Sequence, residues 1–315
     1  MCAHAYTEVQ LVEQPAIGLF VELGWQTVSA MEETFGPEGT LKRENRTEVV
    51  LIHRLRAALE RLNPSIPTDA ISNAIDEPTR DRSAMLLEQA NREVYLLLKD
   101  GIKVSVPDQE NGGQKTERLR VIDWRNPETN DFLLVSQFTV AGSLYDCRPD
   151  LVGFVNGLPL VVIELKKPGV PAKVAFDENL TSYKHAQNGI PALFWYNAFL
   201  IASNGTDSRI GSITADWERF FEWKRIERED EPRRVSLEVM IRRTCGPSRL
   251  LDLVEKFTLV HKFEPERACT GTSSPPPILS SLGRDPSECA NRACRWRVST
   301  HCDGKPRNRG QTRPA

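Results

Sequence analysis

Asp150, Glu164 and Lys166 are the residues whose types and spacing point most directly to chemistry. Glu164 and Lys166 stand two apart in an apolar run, so in a strand they project from one face while Ile163 and Leu165 point to the other. Asp150 opens the preceding apolar run. Asn156-Gly157 separates the two runs and Pro168-Gly169 follows them, which is the signature of a hairpin. A hairpin of this length brings Asp150 across from Glu164, so two carboxylates and a lysine converge at one sheet edge. Such a pair of carboxylates suits Mg²⁺, a hard cation that keeps several of its waters. A neighbouring lysine can orient or deprotonate a water and offset developing negative charge. Phosphodiester hydrolysis needs all three services. An ordinary amphipathic hairpin with a solvent-facing Glu–Lys pair fits the same spacing, and spacing alone leaves both readings open.

The elements that must position these residues are legible in outline. Leu11, Val12, Ala16, Leu19, Phe20 and Leu23 recur at helical spacing, with Gly24 as a stop and Pro15 as an interruption or restart. Thr7 and Gln10 resemble a capping box. Glu8 and Glu13 at the start of this element read first as acids complementing the helix dipole, and secondly as candidate metal ligands. Helices are expected over 47–62, 68–77 and 80–98, then strands over 102–106, 119–124 and 132–140, with a polar turn over 108–116. Arg54, Arg56 and Arg61 on the polar face of the 47–62 helix can touch phosphates or simply face water. A helix over 176–185 places Asn179 and Tyr183 on one face. Strands over 198–203 and 210–213, a charged loop over 224–234 and a last helix around 250–259 complete the pattern.

The chain has 315 residues, 40% hydrophobic and 27% charged, which is the composition of a globular protein with a sizeable core. No apolar run approaches the roughly 20 residues of a membrane helix. The N-terminus shows no secretory pattern, so a cytoplasmic location is the expectation. With a net charge of −2, any contact with nucleic acid must come from a local patch. Seven cysteines, unevenly placed, argue against a disulfide framework, and those of the C-terminal stretch lack zinc-ligand spacing. From about residue 266 periodicity is lost and Pro, Ser, Cys and Arg accumulate. The division expected is therefore a domain over 1–265 and an irregular, disordered tail over 266–315.

Arg148-Pro149-Asp150, followed by Asn156-Gly157, Pro159 to Val162, Glu164 and Lys166, resembles the PD-(D/E)xK nuclease core. The wider pattern is similar to the N-terminal region of the restriction (R) subunit of type I restriction-modification enzymes, the HsdR family. Further matching stretches are Glu22 to Trp25, Asn91 to Val94, Asn126-Pro127, Asn130 to Phe132, Gln137 to Val140, Ile190 to Phe194 and Ser203 to Gly205, over about residues 5–260. The resemblance implies an α/β fold with a mixed central sheet flanked by helices, like restriction endonucleases. It implies that Asp150 and Glu164 bind Mg²⁺, that Lys166 is catalytic, and that double-stranded DNA is cleaved. It also implies methyltransferase and specificity subunits as partners that supply sequence recognition. A Gln-x-x-x-Tyr motif of the family, tied to DNA contact, maps here to Asn179 and Tyr183, with an amide one methylene shorter. Full-length members use ATP to drive a translocase. No G-x-x-x-x-G-K-[ST] loop occurs in this chain, so ATP is not expected to bind it. A catalytically silent module that only docks on the methyltransferase complex, and a stand-alone repair nuclease, are the alternatives.

Overall fold

The computed structural model describes residues 8–108, 112–224, 234–256, 258–260 and 296–298. Val9–Glu13 form a π-helical turn that runs into α1 (Gln14–Glu22), and β1 (Gln26–Ser29) follows. Then come α2 (Ile52–Leu62), α3 (Thr68–Thr79) and α4 (Leu87–Asp100). A hairpin of β2 (Ile102–Pro107) and β3 (Gln114–Leu119) leads to β4 (Phe132–Ser136). A short ladder of β5 (Val140–Ala141) and β6 (Asp146–Cys147) precedes the central hairpin of β7 (Leu151–Val155) and β8 (Leu158–Leu165). The next helical stretch comprises α5 (Ala172–Val174), a π turn over Ala175–Leu180 and α6 (Thr181–Tyr183). The remaining elements are α7 (Pro191–Phe194), β9 (Phe199–Ser203), β10 (Ser208–Gly211), α8 (Ser236–Thr244) and α9 (Pro247–Lys256). β11 (Thr258–Val260) pairs with β12 (Trp296–Val298).

Six strands form one mixed sheet in the order β1-β4-β7-β8-β9-β10, flanked by helices, as the sequence led us to expect. β1 runs parallel to β4 and β8 parallel to β9, while the other neighbours are antiparallel. β7 and β8 lie in the middle, and all their residues are buried. That double-sided burial explains why the run Leu160 to Ile163 is continuously apolar instead of alternating. The turn between them is the Asn-Gly turn, with φ of 50° at Asn156 and 81° at Gly157, the signs of a type I′ connection. Gly157 is also needed for space, because a Cβ there would lie 2.5 Å from the Leu51 carbonyl oxygen. Asn156 is fully buried. Its amide donates to the Val121 carbonyl and Asn130 Oδ1, both at 2.8 Å, and its Oδ1 accepts from the Asp131 N–H at 2.8 Å.

The two ends of the described chain are tied together. The indole N–H of Trp25 donates to the Cys245 carbonyl at 2.9 Å, and its ring meets Phe20 and Phe132 edge-on. Arg242 of α8 reaches Glu22 of α1 at 2.5 Å. A second anchor is Arg43, whose buried guanidinium binds both Glu33 oxygens, the Glu48 and Thr139 carbonyls, and lies over the Phe138 ring.

Several boundaries differ from the sequence expectation for physical reasons. α2 begins at Ile52 and not at 47, because Val49 to Leu51 are buried and the Leu51 N–H bonds the Gly157 carbonyl across the fold. α4 begins at Leu87 and not at 80, since the buried Arg82 caps the carbonyls of Glu77, Pro78 and Arg80 and ends the preceding helix. The strand expected over 119–124 lies instead over Gln114–Leu119, a polar run that pairs with the half-buried β2. β4 stops at Ser136, short of 140, where Gln137 adopts a φ of 57°. The last helix runs over Pro247–Lys256, and α8 before it was not anticipated. Thr7, most of the 224–234 charge run and the expected tail from 266, apart from β12, lie outside the described residues. The tail cysteines lie outside them too, whereas Cys147 and Cys245 are buried free thiols. Among the described residues no helix is long and apolar enough to cross a membrane.

Candidate active site

Each of the three residues singled out from spacing is placed by the central hairpin. Leu151 pairs with Ile163 across β7 and β8, so Asp150, one residue before β7, stands level with Glu164. Asp150 Oδ2 accepts from the Leu165 N–H at 2.8 Å, which fixes its carboxylate against the end of β8. Glu164 is 1% exposed, and its Oε1 has no hydrogen-bond partner. Burial, and then the charge of Asp150, raise the Glu164 carboxyl well above the ordinary carboxylate range. Lys166 follows β8 at half-buried depth, and its Nζ donates to Asn179 Oδ1 at 2.8 Å.

Asn179 and Tyr183 share one helical face, as their spacing implied. Asn179 lies in the π turn Ala175–Leu180, a feature frequent at functional sites, and Tyr183 ends α6 directly after it. The shorter amide of Asn179 still bridges two groups: it accepts from Lys166 and donates to the Tyr183 hydroxyl at 3.2 Å. That hydroxyl in turn points to the Arg148 carbonyl at 3.5 Å, and burial followed by the Glu164 charge raises its pKa. Glu164, Asp150, Lys166, Asn179 and Tyr183 thus form one connected polar cluster.

The two N-terminal acids also face this cluster. Glu13 is 4% exposed and accepts from Gln137 Nε2 at 2.9 Å, so it is not a surface acid at a helix end. Burial, then the Asp150 charge, push its carboxyl up to about 7. Glu8 is raised by burial and by Asp150, and lowered by a hydrogen bond from the Lys167 backbone and the charges of Lys166 and Lys167. Four carboxylates therefore share one region with the charges of Lys166, Lys167 and Arg148. Among the described residues no three acidic, histidine or cysteine side chains stand as a ready-made metal cage. Glu164 and Asp150 are the pair that a divalent cation with its own waters would use. Gln137 is the site residue that the sequence reading did not single out for a role. Its signal was present only as part of a matching stretch, because nothing in the residue type announces a positive φ.

The arginines of α2 are spoken for internally. Arg54 binds both oxygens of Asp131, Arg56 binds Ser72, and Arg61 binds the Thr129 carbonyl. The exposed cations nearest the cluster in sequence are Arg148 and Lys167.

Comparison with known proteins gives the family of the chain. Residues 5–219 match the family described as the type I restriction enzyme R protein N terminus. The chain is similar to the type I restriction enzyme HindI endonuclease subunit of Haemophilus influenzae, 32% identical over 256 residues, covering 80% of this chain and 24% of that protein. It is similar to a putative type I restriction enzyme endonuclease subunit, MjaIXP, of Methanocaldococcus jannaschii, 32% identical over 71% of this chain and 21% of that protein. A third relative, the EcoprrI endonuclease subunit of Escherichia coli, is 38% identical over 95 residues, 30% of each chain. The chain thus spans about a quarter of the length of the first two relatives. With a family model that matches residues 5–219, the chain belongs to the family of type I restriction enzyme R protein N-terminal regions.

Proposed function

We propose that this chain is the endonuclease domain of a type I restriction-modification R subunit, hydrolysing phosphodiester bonds of double-stranded DNA with Mg²⁺ as cofactor. The observation that carries the reading is Glu164. Its buried Oε1 has no partner, and it stands beside Asp150 at the end of a central strand. A buried carboxylate oxygen left without a partner is costly, and a cation is the partner its chemistry asks for. Asp150 and Glu164 would hold the ion, with Glu13 and Glu8 as acidic neighbours. When bound, the ion would make a coordinated water more acidic and stabilise charge on the phosphoryl oxygens.

The chain's own groups supply the rest. Lys166 carries its ammonium beside the carboxylates, steadied by Asn179, and its remaining donors can orient the attacking water and offset charge on the phosphate. Water attacks phosphorus, the bond to the leaving sugar oxygen breaks, and that oxygen takes up a proton. Tyr183 holds Asn179 and so keeps Lys166 aimed. Arg148 and Lys167 supply positive charge for the DNA backbone. Sequence recognition comes from methyltransferase and specificity subunits, and ATP belongs to full-length members of the family.

The test is nicking of supercoiled plasmid by the purified chain, with Mg²⁺ or with EDTA, beside Asp150→Asn. Asparagine keeps an oxygen for the Leu165 N–H, so the variant should fold. Nicking that needs Mg²⁺ and vanishes in Asp150→Asn supports the reading. Equal nicking by a folded Asp150→Asn protein removes it. A chain that binds the methyltransferase complex but never nicks is instead a silent docking module.

A further inference from the structure

We infer that Gln137 is a positioning residue of this site, its side-chain amide holding the Asp150 and Glu13 carboxylates in the orientation that receives a divalent cation. The inference rests on the metal-dependent reading above and assigns a role to a residue outside the acidic pair and the lysine.

The backbone comes first. Gln137 follows directly on β4 with a φ of 57°, a region that long side chains seldom enter and that Gly, Asn and Asp favour. Such a conformation persists only where its surroundings over-determine it. Here they do so on every side. The Ser136 carbonyl accepts from the Ala30 N–H at 2.8 Å, and the Gln137 N–H donates to the Asp150 carbonyl at 2.8 Å. Phe138 is buried edge-on against Phe154, at 5.3 Å, and beneath Arg43, at 4.1 Å. The Thr139 carbonyl accepts from Arg43 at 2.6 Å. The chain is therefore kinked at one defined residue, and that kink joins the end of β4 to the residue that opens β7.

The side chain comes second. At 7% exposure, Gln137 directs Nε2 to Glu13 Oε2 at 2.9 Å and towards Asp150 Oδ1 at 3.4 Å. Both amide hydrogens thus point at carboxylates that repel each other. A neutral donor is suited to this place, since each carboxylate oxygen keeps a further lone pair for an ion. A lysine would cancel charge that the ion needs, and an acid would add a fifth carboxylate. Asp150 is consequently gripped on both oxygens, by the Leu165 N–H on one and by Gln137 on the other. Partners that orient metal ligands in this way commonly change metal affinity by about 10–100-fold when removed.

Two variants of the full chain separate the amide from the turn. Gln137→Gly accepts the positive φ freely and removes only the side chain, while Gln137→Met keeps its length without the donors. Mg²⁺ binding is read by titration calorimetry without DNA, the fold by urea unfolding, and activity by nicking against Mg²⁺ concentration. The expected result is a folded Gln137→Gly protein, with an unfolding midpoint at or above the parent's. Both variants should bind Mg²⁺ about tenfold more weakly or worse, with nicking displaced to correspondingly higher Mg²⁺. Binding as tight as the parent's in either folded variant overturns the role. If the parent itself binds no Mg²⁺ and nicks nothing, the nuclease reading fails, which is a separate result.

Discussion

Replacing Glu13 by Gln should stabilise the protein at alkaline pH and leave it unchanged in acid. Glutamine retains an oxygen to accept from Gln137 and removes the charge. Burial is the main reason the Glu13 carboxyl is held at about 7 instead of 4.5, with Asp150 and Glu8 adding repulsion and the Gln137 amide and Arg148 opposing it. The folded state therefore binds this proton more tightly than the unfolded state does. Below 4.5 both states are protonated and the group contributes nothing. Between 4.5 and about 7 only the unfolded chain ionises, so stability falls as pH rises. Above that window the whole cost is present. Each pH unit is about 1.36 kcal/mol, so the full interval corresponds to a ceiling of about 3 kcal/mol. Urea unfolding of parent and Glu13→Gln in EDTA, at pH 4 and pH 8, measures it as a shift of midpoint at constant slope. A gain of equal size at both pH values, or no gain at pH 8, refutes the reasoning.

Tyr183→Phe keeps the buried ring and removes the hydroxyl that Asn179 donates to, so it should cost about 1 kcal/mol in urea unfolding. It should also slow plasmid nicking by letting Lys166 wander; an unchanged nicking rate would show the hydroxyl to be idle. Asn156→Ala should destabilise by about 3 kcal/mol, because it leaves the Val121 carbonyl and the Asp131 N–H unpaired and puts alanine at a positive φ. A urea midpoint within error of the parent's would contradict that. Arg43→Met strips the partner from Glu33, whose side chain is 4% exposed, and should cost about 3–5 kcal/mol by the same measurement.

The central hairpin was legible in the sequence because local chemistry and long-range packing agree there. The Asn-Gly turn sets Val155 opposite Leu158, and a bulge between Gly153 and Phe154 then shifts the register by one residue, so that Leu151 pairs with Ile163. Period-2 geometry puts Glu164 and Lys166 on one face, whereas Asp150 comes level with Glu164 only through that bulge, which no residue type announces. Tyr183 and Asn179 were readable as neighbours, but not the π turn that carries Asn179 to Lys166, since no residue type dictates that extra turn width. Gln137 and Asn91 look alike as buried amides in matching stretches. Asn91 proves to hold the carbonyls of Phe194, Trp195 and Asn197, a packing task, while Gln137 faces the carboxylates. Only the fold separates the two. The early boundaries failed where a backbone group was used across the fold, as at Leu51, which no local pattern records.

The bond from Trp25 to the Cys245 carbonyl spans 220 positions and sets an order of events during synthesis. On the ribosome α1 emerges early, whereas α8, with its buried Leu237, Met240 and Ile241, emerges more than two hundred residues later. Until then the segment carrying Glu13 lacks its brace, although Asp150, Glu164 and Lys166 have all been made. A chain interrupted at residue 219 would possess every acid and the lysine but not the clasp that seats α1. The seating of α1 thereby waits on residues made more than two hundred positions after it.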